Sequence, residues 1–227
     1  CIEAAVRSVQ RGEAAGLVTA PLHKAALAAA GVPYPGHTEM LQALAAAPGA
    51  PPPPVRMMLA NDELRVALVT IHLALRAAID AVTFEAVLDT LRIAQASALA
   101  WGPSRPRIAV AGLNPHAGDG GNFGREEIDV IEPAVMAGRA EGIAAEGPFP
   151  ADTVFLRAKS GAFDAVLTMY HDQGQIAMKL MGFDRGVTIL GGFPFPICTP
   201  AHGTAYDIAG QGVASVGVTV RDRDTGL

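Results

Sequence analysis

Three apolar, strand-like runs of this chain each end in a histidine. They are Arg65-Val-Ala-Leu-Val-Thr-Ile-His72, Arg107-Ile-Ala-Val-Ala-Gly-Leu-Asn-Pro-His116 and Phe163-Asp-Ala-Val-Leu-Thr-Met-Tyr-His171. Segments of helical periodicity lie between them, which argues for an α/β fold on a mixed, mainly parallel sheet. In an open sheet of that kind, ligands bind beyond the carboxyl ends of the strands. His72, His116 and His171 are therefore a candidate metal site. Three histidines with an open position are a catalytic rather than a structural coordination pattern.

The rest of the chain is punctuated accordingly. Ile2, Ala5, Val6 and Val9 recur at helical spacing until Gly12. A strand is expected over 15–19, a helix from Pro21 to Leu27 stopped by Gly31, and a helix from Thr38, as its cap, towards Ala47. Pro51 to Pro54 form a stiff connector. Strands over 55–59 and 64–71, joined by Asn61-Asp62, read as an antiparallel hairpin. Thr83 caps a long helix ending near Gly102, and a strand follows over 108–112. Glu126 and Glu127 open a helix, where acidic residues suit the dipole. Another helix starts near Asp152, strands over 166–168 and 187–190 flank a helix over 173–181, and a short helix follows His202-Gly-Thr204. The first residues, Cys1-Ile-Glu, lack Met and open inside a helical pattern, so the chain is expected to begin in mid-domain.

Composition narrows the partners. A net charge of −5 argues against nucleic acid. No apolar stretch approaches the roughly 20 residues that span a bilayer, and no signal peptide is visible, so a soluble cytoplasmic protein is expected. Cys1 and Cys198 make no disulfide framework, and Cys198 reads as a small apolar filler.

Chemistry concentrates in a few clusters. Asn114-Pro-His-Ala-Gly-Asp-Gly-Gly-Asn-Phe-Gly124 is a glycine-rich loop between a strand and a helix, carrying His116 and Asp119. It reads either as an anion-approaching loop or as a tight turn with a helix cap. It is not a dinucleotide fingerprint, because Phe123 stands where the last glycine would be needed. Tyr170-His-Asp-Gln-Gly174 places polar groups beside a buried strand, which is costly unless they are used. Lys179, eight residues after His171, falls about two helical turns on, either as a site residue or as a solvated lysine. Gly36-His-Thr-Glu39, His23-Lys24 and His202-Gly-Thr204 are helix starts or ligand contacts. With no G-x-S-x-G and few serines, what remains is metal-assisted chemistry on a small anionic substrate.

These residues resemble the PdxA family, the 4-hydroxythreonine-4-phosphate dehydrogenases of vitamin B6 synthesis and their paralogues. The matching blocks are Leu17-Val-Thr-Ala-Pro-Leu-His-Lys24, Gly36-His-Thr-Glu39, Asn114-Pro-His-Ala-Gly118, Pro150-Ala-Asp-Thr153, Tyr170-His-Asp-Gln-Gly174, Arg185-Gly-Val187 and His202-Gly-Thr-Ala205. The resemblance implies a three-layer α/β/α fold like the isocitrate and isopropylmalate dehydrogenases, with residues 1–227 forming two intertwined α/β subdomains and the family's N-terminal part missing. It implies NAD or NADP, a divalent metal (Zn, Mg or Co), and a homodimer with sites at the subunit interface. Metal ligands fall on His72, His116 and His171, one supplied across the dimer. Substrate contacts fall on His37, Thr38 and Lys179. A family asparagine and arginine fall on Thr188 and Ile197, and losing that guanidinium loses a bidentate anion contact. The implied reaction is oxidation, with decarboxylation, of a small phosphorylated hydroxy acid such as 4-phosphohydroxy-L-threonine. Lys179, Asp152 and Asp172 are the catalytic candidates, with Lys24 a further proton acceptor. The alternatives are a paralogue acting on a four-carbon sugar acid phosphate or an aromatic cis-dihydrodiol, or a metal-binding homologue without turnover.

Overall fold

The computed structural model describes residues 1–34, 36–46, 49, 51–99, 103–182, 186–200 and 203–214. The expectations placed on Arg185 and His202 lie outside the described residues. In chain order the elements are α1 (Ile2–Gln10), β1 (Leu17–Val18), α2 (Lys24–Ala29), α3 (His37–Ala45), β2 (Arg56–Ala60) and β3 (Arg65–Leu68). Then come α4 (Leu75–Asp80), α5 (Phe84–Leu99), β4 (Arg107–Ala111), α6 (Glu132–Ala140), β5 (Ala144–Phe149) and α7 (Ala151–Lys159). The last are β6 (Ala165–Thr168), α8 (His171–Leu180), β7 (Val187–Gly191) and β8 (Ile197–Pro200). Two compact units result: Cys1–Val55 with Asp184–Leu227, and the intervening Arg56–Phe183.

In the first unit β1 runs parallel to β8, and β8 antiparallel to β7, with Thr188 opposite Thr199. Val6, Leu17, Leu41, Leu190 and Ile197 form its core, against which Ile2 and Ala5 of α1 pack. Two helix starts differ from the sequence reading. α2 begins at Lys24 rather than Pro21, because the Nδ1 of His23 accepts the N–H of Ala26 at 3.1 Å and so caps the helix. α3 is entered through Gly36, so Thr38 is a residue of its first turn and not its cap. β8 has no counterpart in the reading: Ile-Cys-Thr-Pro is too short a run, bounded by Pro196, to be legible alone.

The second unit carries the strand order β2-β3-β6-β4-β5, in which only β2 and β3 are antiparallel. The hairpin forms as the sequence implies: Asn61 Oδ1 accepts the N–H groups of Glu63 and Leu64 at 2.9 and 2.8 Å. Thr83 caps α5, its hydroxyl accepting the N–H of Ala86. β3, β4 and β6 are almost wholly buried, as continuous apolar runs of a parallel sheet are. Their side chains join Leu59, Val154, Phe163 and Met178 in one core. β5 and α4 were not legible. Ala-Ala-Glu-Gly-Pro-Phe has neither alternation nor β-branching, and its pairing with β4 makes it a strand.

Gly174 lets α8 lie close on the sheet. A Cβ there would sit 2.6 Å from Val66 Cγ1, 2.9 Å from Thr168 Oγ1 and 3.0 Å from Leu68 Cδ2. Alanine gains about 1 kcal/mol of helix propensity, but overpacking costs about 1–3 kcal/mol. Gly174→Ala is therefore expected to lower the urea midpoint; an unchanged or raised midpoint would show that α8 can shift without cost.

Candidate metal and substrate site

The turns that leave β3, β6 and β4 carry the three histidines, and the register places these strands side by side in the order β3-β6-β4. His72 and His171 meet, with ring centroids 5.4 Å apart and the planes tilted by 46°. His171 opens α8, and its Nδ1–H donates to Asp172 Oδ1 at 2.7 Å. A carboxylate on Nδ1 fixes the ring's tautomer and leaves Nε2 as a lone-pair donor, the usual arrangement behind a metal-bound histidine. His72, His171 and Asp172 line one concavity together with Ile71, Leu73 and Tyr170.

His116 lies in the neighbouring concavity, with Asn114, Asp152, Gln173 and Tyr170 on its walls. Tyr170 belongs to both. Among the described residues no three His, Cys, Asp or Glu side chains converge to hold one ion. One chain thus assembles a pair, His72 with His171, and holds His116 beside it. Lys179 does not join them. It is exposed in the last turn of α8, and eight residues of helix rise put it about 12 Å along the axis from His171.

The loop that holds His116 is unusual. Residues His116 to Gly121 all have positive φ, including His116 (54°), Ala117 (53°) and Asp119 (45°), which have side chains. Each such residue costs about 1–2 kcal/mol. What holds the loop is the pair of acids read from sequence as helix-dipole residues. Glu127 opens a π-helical turn, Glu127–Ile131, ahead of α6. Its carboxylate turns back: Oε1 accepts the N–H groups of Leu113 and Asn114, both at 2.7 Å, and Oε2 accepts Asn114 Nδ2–H at 2.9 Å. Asn114 Nδ2 also donates to Glu126 at 2.6 Å. Hydrogen bonds from its own backbone N–H, and then from Asn114, hold the Glu126 carboxyl below the usual range. A second brace is Gln173: Oε1 accepts the Met169 N–H at 2.7 Å and Nε2 donates to the Gly112 carbonyl at 2.8 Å. Sequence reasoning singled out the Tyr170–Gly174 cluster but assigned Gln173 no part, and it missed Glu127. A Glu-Glu pair just past a glycine-rich loop was the available signal.

Of the remaining predicted residues, Asp152 is exposed at the start of α7. In the first unit, His37 and Thr38 begin α3 half-buried, and burial pushes the His37 imidazole below its ordinary pKa, so it is neutral at pH 7. Thr188 is buried in β7. Ile197 is wholly buried in the aliphatic core of that unit. The expectation that a substrate-binding arginine could occupy this position meets a physical obstacle, since a guanidinium there would be enclosed by hydrocarbon. Cys198 is buried, as a small apolar filler would be.

Comparison with known proteins gives a consistent result. The family model described as pyridoxal phosphate biosynthetic protein PdxA matches residues 1–221. A 4-hydroxythreonine-4-phosphate dehydrogenase of Beijerinckia indica is 54% identical over 213 residues, covering 94% of this chain. The chain spans 62% of that relative's length. Among solved structures, the 4-hydroxythreonine-4-phosphate dehydrogenase of Klebsiella pneumoniae superposes with a TM-score of 0.89 at 41% identity, over 100% of this chain and 69% of that one. A terephthalate 1,2-cis-dihydrodiol dehydrogenase of Burkholderia xenovorans follows at 0.74 and 29%, over 96% and 68%. Isocitrate dehydrogenase of Methylococcus capsulatus, at 16% identity and a TM-score of 0.53 over 91% and 66%, shares the fold alone. No helix among the described residues is long and apolar enough to cross a membrane.

Proposed function

The chain belongs to the PdxA family, and from that membership we propose that it serves a metal-dependent, NAD- or NADP-linked oxidation of a small phosphorylated hydroxy acid. 4-Phosphohydroxy-L-threonine is the first candidate substrate, with loss of CO₂ from the β-keto acid formed. The observation that carries the metal half is the His72–His171 pair with Asp172 behind His171. Two imidazoles, one oriented by a carboxylate, suit Zn²⁺ or Co²⁺ better than Mg²⁺, which prefers oxygen ligands. They are one short of the three protein ligands of a catalytic zinc site. His116 is the third, from the same chain or from a second copy in a homodimer. The metal, when bound, would polarise the substrate hydroxyl and ease its deprotonation.

The chain's own groups then have distinct tasks. Asp172 holds the His171 ring. Asp152, which lines the His116 concavity, is the carboxylate proposed to take a proton, with Lys24 the alternative. His37 offers an N–H to an anionic group, and Thr38, Thr188 and Lys179 are the other substrate contacts proposed. The glycine-rich loop lacks the dinucleotide fingerprint. A cytoplasmic location is part of the same reading. The likeness to a terephthalate dihydrodiol dehydrogenase favours a second reading, in which the metal pair serves a cis-diol instead of a phosphorylated acid.

The test is a panel of hydroxy acids, acid phosphates and cis-diols given to the full-length protein with NAD⁺ or NADP⁺, following nicotinamide reduction with and without chelator. Turnover of a phosphorylated hydroxy acid that chelator abolishes is expected. Metal uptake with no turnover of any compound would leave a binding homologue and overturn the enzymatic reading.

A further inference from the structure

We propose that Glu127 is the positioning residue for His116: its buried carboxylate holds the left-handed loop that aims the imidazole. The inference rests on the proposed metal reading for its consequence, but not for its geometry. Glu127 is 2% exposed, and among the described residues no lysine or arginine forms an ion pair with it. A buried carboxylate without a cation is costly unless N–H donors replace water. Here three do so at 2.7–2.9 Å, and all come from Leu113 and Asn114 at the root of the loop.

The fit is close on both sides of the carboxylate. A Cβ on Gly118 would lie 2.7 Å from Glu127 Oε2, and one on Gly112 would lie 3.0 Å from Oε1. Gly124 is enclosed similarly, its Cβ position 2.4 Å from Asn114 Nδ2 and 2.6 Å from Glu126 Oε2. The loop backbone is thus wrapped around the acid. Strained positive-φ residues persist only where the surroundings over-determine them, and His116 and Ala117 lie between Asn114 and Gly118, which both meet this carboxylate. Releasing it lets His116 relax towards negative φ, which redirects its Cα–Cβ bond. Charge matters as well as shape. In Glu127→Gln the isosteric amide keeps one acceptor but sets an NH₂ group against N–H donors of the loop.

The test is a double-mutant cycle on the full-length protein with Co²⁺ alone as probe. Glu127→Gln is expected to weaken Co²⁺ binding about 10–100-fold, the range for partners that orient a metal ligand. In a His116→Ala background the same change should matter less than about 3-fold, because the group it positions is gone. A metal-free readout accompanies it: in imidazole ¹⁵N spectra the His116 resonances should shift or broaden in Glu127→Gln, while those of His72 and His171 stay. An equal Co²⁺ loss in both backgrounds, or an unmoved His116 resonance, overturns the inference. If His116→Ala leaves Co²⁺ binding intact while Glu127→Gln still moves the His116 resonance, the positioning role stands and the metal reading of His116 fails. Should Glu127→Gln not fold, Asn114→Ala removes one arm of the same clamp and is read by the same two measurements.

Discussion

Alanine at His171 is expected to remove the divalent cation and the activity together, and alanine at His72 to do the same. Their rings are 5.4 Å apart and share one concavity, so each is one of few donors, and losing a donor costs more than losing the group behind it. Asp172→Asn, which keeps the ring but weakens its orientation, is expected to cost only about 10–100-fold in metal affinity. The order His171→Ala worse than Asp172→Asn, read by metal analysis after dialysis and by titration, checks the assignment. Unchanged metal content in all three variants would remove the site from this place. Mixed dimers test the third ligand. If His116 comes from the second copy of a homodimer, an inactive His116→Ala chain paired with an inactive His171→Ala chain should regain up to half the activity. Proven heterodimers that stay inactive for every pairing of the three ligands would count against ligand sharing.

The largest effect on stability is expected at Ile197. Its side chain is wholly buried with Val6, Leu17, Leu41 and Leu190. Ile197→Ala leaves a cavity and costs about 2–5 kcal/mol. Ile197→Arg adds an uncompensated buried charge, a change of about 3–5 kcal/mol or more. Against a typical total of about 5–15 kcal/mol, the arginine variant should be largely unfolded or aggregated at 37 °C. Urea unfolding followed by circular dichroism measures it. The opposite outcome is informative: a stable Ile197→Arg protein with improved turnover of 4-phosphohydroxy-L-threonine would mean that this position faces a ligand in the working assembly, as the family resemblance implies.

The parts legible in the sequence were those whose cause is local. Apolar runs that end abruptly in Thr-Ile-His72, Asn-Pro-His116 and Tyr-His171 announce strand ends, because a polar cluster cannot continue a buried strand. Asn61 announces its turn because its side chain bonds two residues on, and Thr83 its helix. Even where the local reading slipped, as at Thr38, the error was two residues of helix start: Gly36 takes the cap, and the helix itself is there. The resemblance to a family rested on such short clusters, and the family match bears it out.

Other features depend on partners distant in the chain. β5 is a strand because β4 lies beside it, and nothing in Ala-Ala-Glu-Gly-Pro-Phe asks for one. Lys179 follows His171 by two turns of one helix, as its spacing implies, but the spacing does not say whether its side chain meets a ligand or solvent. Ile197 sits in a segment aligned with a binding contact, but the fold turns it into the core. Glu127 reads as one more acid at a helix start until the backbone of Leu113 and Asn114 meets its oxygens. Periodicity, caps and turns are written residue by residue, because a side chain and its own backbone settle them. Which donor satisfies a buried carboxylate, and which histidines share a concavity, is decided only when separate strands are set side by side.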